Sequence, residues 1–117
     1  MNYHAHIYFD LQDLATAQDL ILTLKSMPKL QVYGLVPRKV GPHAKPMIEA
    51  HFHSRDKEEV IEWFQGNRKN FSILIHQDTG DDYRDHAPEN VIWIGEELKI
   101  DFKFFDLVKR NPGKSIH

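Results

Sequence analysis

Eight of the 117 residues are histidine, at positions 4, 6, 43, 51, 53, 76, 86 and 117, and none is cysteine. Near neutral pH an imidazole binds metals and moves protons. The lack of thiols excludes disulfides, thiolate nucleophiles and cysteine-based zinc sites. No Gly-x-Ser-x-Gly segment occurs, so hydrolysis through a serine elbow has no support. His4 and His6 lie two apart, as do Glu49, His51 and His53. On a strand, a spacing of two puts side chains on one face.

Strands are what the surrounding residues predict. In residues 3–9, Ala5, Ile7 and Phe9 alternate with His4, His6 and Tyr8. Leu14, Ala17, Ile21 and Leu24 then share one helical face. Asp10 or Asp13 is suited to cap that helix and Pro28 to stop it. Residues 30–36 read as a second strand, with Leu30, Val32 and Gly34 alternating against Gln31, Tyr33 and Leu35. The stretch from Pro37 to Pro46 is rich in Gly and Pro and reads as a loop. Residues 47–53 alternate Ile48, Ala50 and Phe52 against Met47, Glu49, His51 and His53. Asp56 with Glu59 resembles a capping box for a helix carrying Val60, Ile61 and Phe64, ending near Gly66-Asn67. Residues 71–76 make a fourth strand. A polar loop over 77–90 and two short strand candidates, 91–94 and 98–102, complete the pattern.

The order strand, helix, strand, strand, helix, strand predicts an α+β fold. It is a ferredoxin-like antiparallel sheet (βαββαβ) with helices on one face and a C-terminal extension. One domain over 1–106 and a flexible tail over 107–117 are expected. The helices should cover the apolar sets. In the usual strand order the first strand lies between the third and fourth, so His4, His6, Glu49, His51 and His76 should meet on the opposite, open face. Imidazoles with a carboxylate suit a non-haem iron site, and three protein ligands leave positions for substrate and O2.

Four segments, in order over residues 4–95, resemble the DOPA 4,5-dioxygenase family. They are His4-Ala5-His6-Ile7-Tyr8-Phe9; Gly41-Pro42-His43 with Glu49 downstream; Trp63, Asn67-Arg68 and the strand to His76; and His76-Gln77-Asp78-Thr79-Gly80 with Asp85-His86 and Trp93-Ile94-Gly95. Ala44 and Gln77 stand where the family usually has proline, which bears on loop shape. The resemblance singles out His4, His6, His43, Glu49, His76 and His86, and leaves His51 and His53 as neighbours.

The resemblance implies extradiol cleavage of DOPA or a related catechol by O2 at Fe(II), with zinc or another divalent metal also able to occupy the site. His6, Glu49 and His76 are the favoured ligands because strands hold them rigidly. His43 is the substitute ligand if its loop folds over the face, and His4 or His86 would transfer protons. The rival expectation is a non-catalytic ferredoxin-like metal- or ligand-binding module, dimerising through the open sheet face. A homodimer is expected in either case. The net charge of −2 and the lack of a like-charge block argue against a nucleic-acid partner. No apolar run of about 18 residues is present for a membrane span, and a cytoplasmic location is expected.

Overall fold

The computed structural model describes residues 2–39 and 41–105. The expected tail over 107–117, with His117, lies outside the described residues. Five strands form one antiparallel sheet: β1 (Asn2–Tyr8), β2 (Gln31–Val36), β3 (Met47–His53), β4 (Ser72–Gln77) and β5 (Val91–Ile94). Their order is β2-β3-β1-β4-β5. The first four take the ferredoxin-like order, and β5 extends the sheet beyond β4. Helices α1 (Leu14–Lys25) and α2 (Lys57–Asn67) follow β1 and β3, each entered through a 3-10 turn.

One sheet face is apolar by alternation. Ala5, Ile7, Ile48, Phe52, Ile73 and Ile75 are buried there. Against them pack Ala17, Leu20, Ile21 and Leu24 of α1, and Val60 and Phe64 of α2. Burying a side chain of Leu or Phe size contributes about 1.5–3 kcal/mol, so this layer carries the main stabilisation. Gly95, at φ +87, turns the chain after β5. A Cβ there would strike the Arg68 guanidinium, whose Nη1 donates to the Phe71 carbonyl at 3.1 Å.

The expected caps are not made through side chains, because a backbone 3-10 turn already leads into each helix. Asp10 pairs with Lys45 at 3.1 Å, while Asp56 and Glu59 both engage Lys29. His53 does the capping instead: its Nδ1 accepts from the Arg55 N–H at 3.0 Å. In β2 the register shifts between Val32 and Gly34, with Tyr33 as the extra residue. The alternation therefore slips, and Leu35, expected beside Gln31, pairs with Ile48 and packs on the apolar core.

The largest correction concerns the other face. It was expected to be open, and it is covered by the chain itself. The 77–90 segment contains a short helix, α3 (Asp82–His86), capped by the Asp81 carboxylate. Residues 98–102 form no strand. They cross the sheet instead, with Leu98 and Ile100 packed near Tyr8, Met47 and Leu74. Asp101 N–H donates to the Pro42 carbonyl at 2.9 Å, tying this segment to the His43 loop. The face is thus covered within the single chain, and its histidines His4, His6 and His76 are buried.

Candidate metal centre

Register sets the site. β1 is central, so each outward residue meets a partner on both sides. His4 stands opposite His51 on β3 and His76 on β4. His6 stands opposite Glu49 and Leu74. The His43 loop and α3 then close over this surface, adding His43 and His86. His4, His6, His43, His76 and His86 are all at most 3% exposed. The strand pattern in the sequence placed three of the five, His4, His6 and His76, on this face, and His43 and His86 join because their segments fold over it.

The nitrogens converge in two groups that share His6: His4, His6 and His76, and His6, His43 and His86, with donor atoms within 4.8 Å of one another. The tightest pair is His6 Nε2 and His76 Nε2 at 2.9 Å. Two nitrogens bound to one ion at about 2.1 Å and a right angle lie about 3 Å apart, so this separation suits neighbouring ligands.

The opposite ring nitrogens tell which lone pairs are available. His76 Nδ1 lies 2.7 Å from the Gln77 carbonyl, and His86 Nδ1 lies 2.7 Å from the Asp82 carbonyl. A carbonyl only accepts, so Nδ1–H donates in both and Nε2 is left with its lone pair. His86 Nε2 is buried with no hydrogen-bond partner. Metal-binding histidines are held this way, by a hydrogen bond from the other nitrogen. His6 turns Nδ1 toward Met47 Sδ at 3.2 Å and Glu49 Oε1 at 3.8 Å. The carboxylate therefore sits behind His6, where it favours a proton on Nδ1 and a lone pair on Nε2.

Burial disfavours the charged rings. It is the main cause that depresses the pKa of His6 well below the usual imidazole value, with His43 and the other imidazoles adding to it. His76 is pushed down to about 2 by burial and by His86. Burial also lowers His86, against the opposing pull of the Asp82 carbonyl. Neutral imidazoles are the form that binds metal.

A third grouping, His4, Glu49 and His51, has donor atoms equally close. The His4 and His51 rings are stacked, 3.7 Å between centroids and 7° between planes. Lone pairs lie in the ring plane, so those of two stacked rings run parallel and do not meet on one ion. His51 pairs with Glu49 at 3.3 Å and its ring packs at a tilt against Tyr33, 4.0 Å between centroids. His4 Nε2 faces the part-exposed Asp78 carboxylate at 3.1 Å, linking the cluster to the surface.

Two further residues brace the site, Tyr8 from the same face as His4 and His6 and Asp85 from beside His86. Tyr8 OH lies 2.7 Å from His43 Nδ1, and burial raises its pKa, so it stays a phenol. Its place in the alternation with His4 and His6 was the available signal. Asp85 is buried and accepts from the Thr79 N–H and Oγ1 at 2.8 and 2.7 Å. It braces the turn before α3 and does not itself hold the His86 ring.

Comparison with known proteins gives the family. Residues 3–104 match the family described as the Dopa 4,5-dioxygenase family. The chain belongs to that family. It is 28% identical over 107 residues to a DOPA 4,5-dioxygenase of Amanita muscaria, covering 84% of this chain and 46% of that protein. The chain thus spans about half the length of this curated relative. The fold is also similar to a crystal structure of a candidate dioxygenase from Nostoc punctiforme, with a TM-score of 0.84, 30% identity and 92% of each chain covered. Among the described residues, no helix is long and apolar enough to cross a membrane. The buried histidine groups of this family member could hold a metal ion.

Proposed function

We propose that the chain is a non-haem iron dioxygenase that opens the ring of DOPA or a related catechol with O2. The observation that carries this reading is the buried pair of imidazole nitrogens, His6 Nε2 and His76 Nε2, 2.9 Å apart. Five buried imidazoles are expensive to desolvate, and a bound cation offsets that cost. The family, and the activity named for the Amanita relative, support the substrate class. Neutral imidazoles suit Fe(II), and zinc suits them as well, so zinc is a compatible occupant of purified protein.

His6 and His76 are the proposed ligands, and His86, whose Nε2 is buried without a partner and which shares a convergent group with His6, is the proposed third. Glu49, expected at first as a ligand, holds the back of His6 in this proposal. Fe(II) held by these residues would supply templating and Lewis-acid chemistry for the catechol and O2. The chain's own residues do the rest. His43 lines a cavity beside the cluster and is therefore the proposed proton-transfer group facing the substrate. Tyr8, held as a phenol, donates to His43 Nδ1 and so leaves the transferable proton on Nε2. His4 with Asp78 links the cluster to solvent as a second proton route. A positioned proton-transfer group contributes about 10²–10⁴-fold.

The test is anaerobic loading with Fe(II), followed by an oxygen electrode over a panel of catechols. Oxygen uptake with a coloured ring-opened product is expected. Iron-loaded protein that consumes no O2 with any catechol would contradict the reading and favour a binding module.

A further inference from the structure

A cavity of about 720 Å³ lies between the His43 loop and the segment 99–103. His43, buried and belonging to one of the two convergent histidine groups, forms part of its wall. The mouth carries Lys39, Lys99 and Lys103, all exposed, with Asp101 as the acid on the lining. Asp101 Oδ1 accepts from the Lys103 N–H at 3.1 Å, so its carboxylate is partly engaged by backbone. None of the three lysines forms an ion pair among the described residues, whereas Lys29 and Lys45 do. The chain as a whole is acidic, at −2. A surplus of lysines at the cavity that touches the histidine cluster therefore departs from the rest of the surface.

The geometry points to a specificity site for the carboxylate of an acidic catechol. This inference rests on the ring-cleaving reading, and gives it a substrate class: a catechol bearing net negative charge. The ring would lie against Phe102 with its hydroxyls toward His43, and the carboxylate would meet the lysines. Convergent ammonium groups favour anions and raise their local concentration. A neutral catechol gains nothing from them. A catechol amine is repelled, and DOPA, with both an ammonium and a carboxylate, falls between.

Each exposed ammonium is worth roughly two- to fivefold, so two or three acting together give about a tenfold preference. The experiment is equilibrium binding of 3,4-dihydroxybenzoate, catechol and dopamine to Fe(II)-loaded protein without oxygen. The expected order is acid, then neutral, then amine, with the acid about tenfold tighter than catechol at low salt. Raising the salt to about 0.5 M should shrink that ratio several-fold, since exposed charges are screened. The triple variant Lys39→Gln, Lys99→Gln, Lys103→Gln should bring the acid-to-neutral ratio near one. The salt series needs no variant and stands even if the triple variant folds poorly. Equal binding of the three probes, or an acid preference untouched by salt, overturns the inference. Its failure is separable from that of ring cleavage. O2 uptake with all three probes at similar KM sinks this site alone. Lysine-dependent binding without O2 uptake sinks ring cleavage alone.

Discussion

The two faces of the sheet are made from alternate residues of the same strands, yet they do opposite work. Ala5 and Ile7 point into a layer sealed by two regular helices, while His4 and His6, their immediate neighbours, point into a cluster of imidazoles. The first face is covered by long periodic elements that bury apolar surface. The second is covered by a loop, a five-residue helix and an irregular crossing segment. Buried apolar side chains stabilise, whereas buried imidazoles cost free energy unless something binds them. Stability is thus concentrated on one face and chemistry on the other, and substitutions should separate them.

The largest expected effect lies on the helix face. Phe64 of α2 is fully buried, and Phe64→Ala should cost about 3–5 kcal/mol. Urea unfolding at neutral pH measures it, and the folded fraction should still bind iron normally. Next is acid sensitivity of the metal-free protein, which belongs to the histidine face. His6 and His76 are depressed below the ordinary value of about 6.5, so they stay neutral when folded and take up protons when unfolded. The unfolded state then binds more protons, and stability falls as pH drops below about 6.5, by about 2 kcal/mol between pH 7 and 5 from His76, with His6 acting in the same direction. Urea midpoints across that range check it. If the loss is the same in His76→Ala, the second face is not its source.

Smaller but more specific is His76→Ala itself. Losing a ligand should weaken iron binding by at least about 100-fold, more than the roughly 10–100-fold typical when a ligand loses its hydrogen-bond partner. Its cost in metal-free stability should stay well below that of Phe64→Ala. Glu49→Gln should have the smallest effect, about tenfold on iron affinity, because the carboxylate acts through His6. A matching loss in Glu49→Gln and His76→Ala would make Glu49 a ligand, as first expected from its place on β3.

The helix face was almost fully legible in the sequence. The bounds of β3 and β5 coincide with the alternating segments, and the faces of α1 and α2 follow their apolar spacing. The strand order followed from the βαββαβ pattern, and that order alone brought His4, His6 and His76 together. The cover over the histidines was not legible, for identifiable reasons. α3 has only five residues, too few for a helical period to show. The alternation of Leu98 and Ile100 reports burial on one side, which a strand and a segment crossing a sheet share. The slip at Tyr33 arises from a register shift against β3, which the β2 residues do not encode by themselves. His53 was grouped with its neighbours by spacing, but its ring nitrogen is occupied in capping the turn that follows.

In the proposed site His6, common to two convergent groups, anchors one metal ion. Anaerobic titration of Fe(II) into metal-free wild type and His6→Ala, with protein-bound iron counted per chain, tests it most directly. Wild type should saturate at about one iron per chain, and His6→Ala should retain little under the same conditions while still folded by circular dichroism. Equal iron in the two proteins, or none in wild type, would contradict the account.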